Sequence, residues 1–368
     1  MRRLTVVQLL PALEAGGVER STLEIADALV RAGHRAVVVS AGGRLLPQLQ
    51  ALGAEHVLLP IGRKSPLVLR HLPALRRVLR GADIVHARSR LPAWLGWMAL
   101  RGIHAGRPHF VTTAHGLNSP SRYSAIMTRG ERVVCVSRTV RDYLLRHYPK
   151  VDPARLVVVP RGIDPAAFPP APLPDRAARA QVAALHPQLG GDGPLLLLPG
   201  RGTRLKGHAD AIGLLAALRA EGADARLWMP GALQAGREDY VTELSGLARA
   251  AGVEAMLAMT APTAAIAQAY AACDLVLQLS RKPEAFGRTV VEALAVGRPV
   301  LGWAHGGVGE LLAELQPAGA VAPFDAGQLA VRACALLAAP PSPPAAMPYT
   351  LQAMQEATLT LYRTMVDA

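Results

Sequence analysis

The chain has 368 residues, 51% apolar and only 18% charged, which is more than one hydrophobic core usually holds and excludes an intrinsically disordered protein. Three widely spaced cysteines, Cys135, Cys273 and Cys334, exclude a disulfide framework and a structural zinc site and fit a reducing cytoplasm. The net charge of +13 is lopsided: residues 1–160 hold 24 Lys/Arg against 9 Asp/Glu, a net +15, and residues 161–368 hold 16 against 18, a net −2.

At the N-terminus two arginines precede an apolar run, but Gln8 and Glu14 interrupt it, so it reads as a first strand and not as a signal peptide. Strands are then expected at 4–10, 36–40, 56–59, 83–86, 110–113, 132–136 and 157–160, with helices at 19–32, 92–100 and 139–147. A proline-dense stretch, 164–174, a short alanine-rich helix and Gly190-Gly191-Asp192-Gly193-Pro194 follow, and the domain boundary belongs there. The second half repeats the plan, with strands at 195–198, 226–229, 255–259, 275–279 and 300–302 and helices at 208–221, 240–251, 263–272 and 288–296. A second proline cluster, 340–344, leads to a last helix near 351–366. Alternating strands and helices predict parallel α/β sheets. No stretch approaches the ~18 continuous apolar residues of a membrane-spanning helix, so a soluble or peripheral protein is expected.

Parallel sheets bind ligands at the carboxyl ends of their strands, where helix N-termini present N–H groups. Gly16-Gly17 joins the first strand to its helix and either admits a phosphate or makes an ordinary tight turn. His115-Gly116 stands just past a strand end, where the imidazole is either structural or part of a site. Arg201, Arg204 and Lys206 lie among glycines ahead of a helix and read as a diphosphate site, although without the P-loop pattern. In the segment 281–301, Glu284 falls in a loop, Gly287 opens a helix and Glu292 lies within it. Carboxylates accept hydrogen bonds from vicinal sugar hydroxyls and a helix N-terminus suits phosphate, yet by spacing alone this is equally an amphipathic helix with two surface acids.

Taken together, these residues resemble the group one (family 4) glycosyltransferases of the GT-B fold. The likeness runs through Gly16-Gly17-Val18-Glu19, His86-Ala87-Arg88-Ser89-Arg90, Thr113-Ala114-His115-Gly116, Val159–Asp164, Gly200-Arg201, Lys206-Gly207 and the two-glutamate segment. The resemblance implies an α/β protein of two Rossmann-like domains facing across a cleft. Their expected limits are 1–165 for an acceptor-binding domain, 166–193 for a linker, 194–345 for a nucleotide-sugar-binding domain and 346–368 for a helix crossing back to the first domain.

It further implies a retaining hexosyltransferase that uses a nucleoside-diphosphate sugar, expected to be UDP-linked, as co-substrate and needs no other cofactor. Arg201 and Lys206 would hold the diphosphate and stabilise the leaving group, Glu292 the ribose and Glu284 the transferred hexose or hexosamine. Backbone at Phe286, Gly287, Arg288 and Thr289 would meet the phosphates, Gly16 and Gly17 would approach them from the first domain, and His115 would contact the donor sugar. No Asp-x-Asp metal motif is present, and the two cations would take its role, giving metal independence. With no carboxylate nucleophile identifiable, same-face substitution is expected.

The stretch 86–95 resembles bacterial enzymes of lipopolysaccharide core synthesis. With the basic first half it points to a glycolipid or phosphorylated saccharide acceptor and to an anionic membrane surface as partner, on the inner face of the cytoplasmic membrane. Arg281-Lys282 ahead of Pro283 departs from many relatives and leaves sugar and acceptor open. A nucleotide-sugar epimerase of the same fold is the alternative reaction, and a basic nucleic-acid-binding protein is the alternative from another class. Nucleic acid is not an expected partner, because aromatic residues are only 4% and no recognition motif is present.

Overall fold

The computed structural model describes residues 2–14 and 16–367; Met1 and Ala368, the outer limits of the expected first domain and last helix, lie outside the described residues. The chain forms two compact units, one of residues 1–161 with 351–368 and one of residues 162–350.

The first unit carries β1 (Thr5–Leu9), α1 (Gly17–Arg31), β2 (Arg35–Ser40), α2 (Leu46–Ala51), β3 (Glu55–Leu58), α3 (Leu72–Leu79), β4 (Ile84–Ala87), α4 (Arg90–Leu100), β5 (His109–Ala114), β6 (Arg132–Cys135), α5 (Arg138–His147) and β7 (Leu156–Val158). Its strands pair in the order β3-β2-β1-β4-β5-β6-β7, every pair parallel, with Val7 between Val37 and Val85. Such strands are buried on both faces, which explains their unbroken apolar runs. Along β1, Val6 packs with Ile25 and Leu29 of α1, while Val7 and Leu9 pack with Leu95 of α4 on the other side.

The second unit carries α6 (Arg176–Leu185), β8 (Leu195–Leu197), α7 (His208–Ala220), β9 (Arg226–Pro230), α8 (Glu238–Ala250), β10 (Leu257–Thr260), α9 (Ile266–Ala272), β11 (Leu275–Gln278), α10 (Arg288–Val296), β12 (Val300–Trp303), α11 (Gly306–Leu315), β13 (Ala320–Val321) and α12 (Ala326–Ala338). The sheet order is β10-β9-β8-β11-β12-β13, again all parallel. Leu195 and Leu197 of β8 enter one core cluster and Leu196 the other. Phe168, Ala178, Val182 and Leu189, from the stretch expected as a linker, are buried in the first of these clusters. The fully buried Arg298 guanidinium donates to the carbonyls of Ala171 (3.1 Å), Pro172 (2.5 Å) and Ala271 (2.7 Å), so the proline-rich path is held by one arginine.

The last helix, α13 (Leu351–Asp367), belongs to the first unit. Met354, Leu361, Tyr362 and Met365 recur at helical spacing and enter the cluster that contains α1. Gln355 Nε2 donates to the Glu24 carbonyl at 2.7 Å, and Arg31 Nη2 donates to Gln355 Oε1 at 2.9 Å.

The expected strands recur within a residue or two, except that 254–256 form a 3-10 turn before β10. The elements α2, α3, α11, α12 and β13 were not singled out by pattern. Prolines sit in the first turns of α2 and α3, where the missing N–H is harmless, and three glycines dilute the signal of α11. In each sheet the strand order reverses once, between β1 and β4 and between β8 and β11. Ligands of open parallel sheets bind outside the carboxyl ends at such reversals.

Candidate functional site

In the second unit the exits of β8 and β11 converge. The loop after β8 ends at Gly207, whose φ of 77° and close approach to Leu279 admit only glycine: an added Cβ would stand 2.1 Å from the Leu279 carbonyl oxygen. This contact brings Lys206 beside the β11 exit, where its Nζ lies 2.6 Å from Glu284 Oε1. The Ser280 hydroxyl donates to the same oxygen at 2.5 Å, and Gln278 Nε2 lies 3.5 Å from Oε2. Both partners of the ion pair keep about a quarter of their side-chain surface open to solvent (28% and 25%), so a ligand can reach either.

The cations around this junction are sorted by the fold. Arg204 pairs with Glu243 and lies 5.2 Å over the Tyr240 ring. Arg281 is taken by Asp210, at 2.6 and 2.9 Å. Arg201 is exposed and has no side-chain partner among the described residues, and Lys206 pairs with the partly open Glu284.

Glu292, expected at the ribose, is buried in α10 and accepts a 2.9 Å hydrogen bond from the Tyr270 hydroxyl. Burial first, and then the adjacent Glu292 charge, push the Tyr270 phenol well above its ordinary value, so it stays a donor. Phe286 turns its ring into the core against Tyr349, leaving its backbone to the loop. Gly287, at φ 112°, precedes α10, whose first residues are Arg288 and Thr289. The Arg288 side chain donates to the Gly162 carbonyl at 2.9 Å and is not directed to solvent alone.

The support of the Glu284 loop escaped the sequence reading. Gly307 N donates to the Glu284 carbonyl at 2.7 Å, and at Gly306, φ 60°, a Cβ would stand 2.6 Å from that same oxygen. His305 Nε2 donates to the Ser280 carbonyl at 2.8 Å. The visible signal was His305-Gly306-Gly307 directly after a strand.

In the first unit Gly16 and Gly17 open α1, with the Gly16 carbonyl accepting from Arg20 N and no atom within 4 Å of where a Cβ would stand at Gly17. His115, past the end of β5, is contacted at Nδ1 by Arg161 Nη2. Next to it lies a buried polar network. His86 Nδ1 meets the Tyr362 hydroxyl at 2.5 Å and its Nε2 meets Thr113 Oγ1 at 2.5 Å, while Arg88 Nε donates to Gln8 Oε1 at 2.7 Å. Burial, reinforced by neighbouring arginines, holds both His86 and His115 well below the ordinary histidine range. His86 and Arg88, read only as part of a family motif, thus tie β4 to α13 and β1.

Two families match this chain in succession: the one described as Glycosyltransferase Family 4 over residues 15–167 and the one described as Glycosyl transferases group 1 over residues 186–347. The chain belongs to the group 1 glycosyltransferases. Within that family it is 29% identical over 331 residues to a D-inositol 3-phosphate glycosyltransferase of Xylanimonas cellulosilytica, covering 80% of this chain and 77% of the relative. A glycosyltransferase from Rickettsia africae superposes with a TM-score of 0.87 at 26% identity, over 100% of this chain and 99% of that one. The Anabaena protein Alr3699/HepE, solved with UDP and glucose, shares the fold, with a TM-score of 0.81 at 20% identity, over 98% of this chain and 100% of that one. Group 1 glycosyltransferases of the GT-B fold carry two parallel-sheet α/β domains, as found here.

Proposed function

We propose that this group 1 glycosyltransferase transfers a hexose or hexosamine, with retention of configuration and without a metal ion, from a UDP-linked donor to a phosphate-bearing cell-envelope acceptor of the lipopolysaccharide-core class. The observation that carries the donor half is the Lys206–Glu284 pair at the strand-order reversal of the second unit, with the exposed Arg201 earlier in the loop that carries Lys206 and the buried Glu292 in the helix that follows Glu284. An ion pair this exposed contributes about 1 kcal/mol or less, so an incoming diphosphate can replace Glu284 as the partner of Lys206 and release the carboxylate to the sugar hydroxyls. Arg201 and Lys206 then neutralise charge that grows on the leaving diphosphate, the work a metal ion does elsewhere. The UDP complex of the Anabaena protein supports the choice of base. In this reading no carboxylate is given the role of nucleophile, and departure of the diphosphate with attack by the acceptor hydroxyl on the same face accounts for retention.

The acceptor half rests on charge. Residues 1–160 carry a net +15, and Leu67 and Leu69 are exposed beside Arg63, Lys64 and Arg70, a combination suited to an anionic lipid surface. None of the helices among the described residues is long and apolar enough to cross a membrane. The relative named for D-inositol 3-phosphate favours a second reading, a small phosphorylated polyol as acceptor, which uses the same positive charge.

The test is a thermal-shift screen of nucleotide sugars, since a ligand that binds only the folded state raises its apparent stability. UDP-hexoses are expected to shift the transition, and binding of every nucleotide sugar except UDP-linked ones would reject the donor. Transfer is then assayed on lipopolysaccharide-core acceptor against inositol phosphate. An epimerase would instead convert the donor without any acceptor.

A further inference from the structure

His115 has surroundings that define its chemistry more narrowly than its place past β5 does. Arg161, where the chain first leaves the first unit, follows β7, and β5 and β7 flank β6 in the sheet. Arg161 Nη2 contacts His115 Nδ1. A guanidinium presents only N–H donors and has no acceptor atom. The imidazole nitrogen that faces it must therefore present a lone pair, and the one proton of the neutral ring resides on Nε2. That Nε2 is buried and has no hydrogen-bond partner among the described residues.

The charged and titratable groups that act on the ring are Arg161, Arg88 and His86, two cations and a second imidazole. All of them oppose an imidazolium, and burial opposes it most, so the ring stays neutral well below its ordinary value of 6.5. A ring in this state is a poor base, because its free lone pair is already occupied by Arg161. What it lacks is an acceptor oxygen for a buried N–H, a group costly to leave unpaired.

We propose that Arg161 is a positioning residue that locks His115 as the neutral Nε2–H tautomer, so that His115 serves the reaction as a fixed hydrogen-bond donor to an oxygen of the donor sugar. This rests on the reading that places His115 in the donor site. No proton changes hands in the step: Nε2–H shortens onto a sugar hydroxyl or ring oxygen when the donor binds and returns to its open state when product leaves.

The experiment uses the full chain with 15N-labelled histidine, the His115 signals being assigned by their loss in His115→Gln. The free enzyme is expected to show the Nε2–H pattern without titration between about pH 5.5 and about pH 8.5. Arg161→Met, which keeps length but removes the donor and the charge, is expected to bring in the Nδ1–H form and move the titration back toward 6.5. Its kcat/KM should acquire an acidic limb, up to about fourfold lower at pH 6 than at pH 8, that the parent lacks. Arg161→Lys, which restores a cationic donor, should remove that limb, and a merely structural arginine would not produce this pattern. An Nδ1–H parent, a parent titrating near 6.5, or a folded Arg161→Met with unchanged tautomer overturns the proposal. If the tautomer behaves as stated but His115→Gln and Arg161→Met both transfer at the parental rate, the placement of His115 in the donor site falls while the hold of Arg161 on the ring stands.

Discussion

Lys206 and Glu284, 78 residues apart in sequence, meet at 2.6 Å because Gly207 lets the exit loop of β8 lie against Leu279 at the exit of β11. Two strands that are neighbours in the sheet thus deliver opposite charges to one point, and neither charge is sealed from solvent. A pair so placed is a poor source of stability, and in the proposed function it receives a ligand that carries both phosphate and hydroxyl groups.

Lys206→Ala should therefore lower kcat/KM for transfer by about 10²- to 10³-fold, the usual effect of removing one charge from a leaving-group site. The fold should lose about 1 kcal/mol or less. Steady-state transfer together with thermal unfolding separates the two effects; a stable variant with full activity would remove Lys206 from the site.

Glu292 is buried with Tyr270, and in its proposed place at the ribose its effect belongs to binding. Glu292→Gln should raise KM for the donor about tenfold with kcat nearly kept. Tyr270→Phe, which strips the 2.9 Å donor from Glu292, should raise the same KM and cost about 1 to 2 kcal/mol of stability. A fall in kcat at unchanged KM would place Glu292 at the reacting centre instead.

Gly306→Ala tests the support of the Glu284 loop from the far side. Its φ of 60° and a Cβ 2.6 Å from the Glu284 carbonyl oxygen make the substitution strained, by about 1 to 3 kcal/mol. Relief requires the loop to move, so activity should fall further than stability does. Equal activity in the folded variant would show that the loop position is not set by this contact.

His208 gives the second unit an acid-sensitive stability. Burial above all, opposed by a backbone contact at Thr203 and aided by the charge of Lys206, lowers its pKa from 6.5 to about 4. Between these values the unfolded chain binds more protons than the folded one, so stability is complete above 6.5 and is lost as the pH falls toward 4. The loss should reach about 2 kcal/mol at pH 5. Denaturant unfolding at pH 5 and pH 7 measures it, and His208→Gln should flatten the dependence. Burial shifts His86 and His115 the same way, so the first unit should share the trend.

The proposed metal independence makes a simple forecast for the transfer assay. Addition of a chelator should leave the rate within about twofold, because in the proposed site Arg201 and Lys206 supply the positive charge. Loss of activity restored by a divalent cation would contradict it.

The strands were legible because parallel strands buried on both faces read as apolar, β-branched runs, and the carboxyl-end junctions were legible because glycines and charges gather there. What stayed hidden depends on contacts between distant residues. Arg201, Arg204 and Lys206 look alike along the chain, and only the positions of Glu243 and Glu284 tell them apart. His86 meets Tyr362 across 276 residues, a pairing no local pattern announces. The contribution of Gly306 and Gly307 is the absence of a side chain where the Glu284 loop passes, and such an absence has meaning only in three dimensions.

The apolar face of α13 completes the core that α1 begins, although all of the second unit lies between them in sequence. During synthesis the ribosome releases residues 162–350 before the helix that the first unit needs. The order of folding is therefore expected to invert the order of translation, the second unit closing while the first still exposes the α1 surface that α13 will cover. A nascent chain in that state is a natural client for a chaperone, and the segment at risk is the opening one hundred and sixty residues, where most of the positive charge also lies.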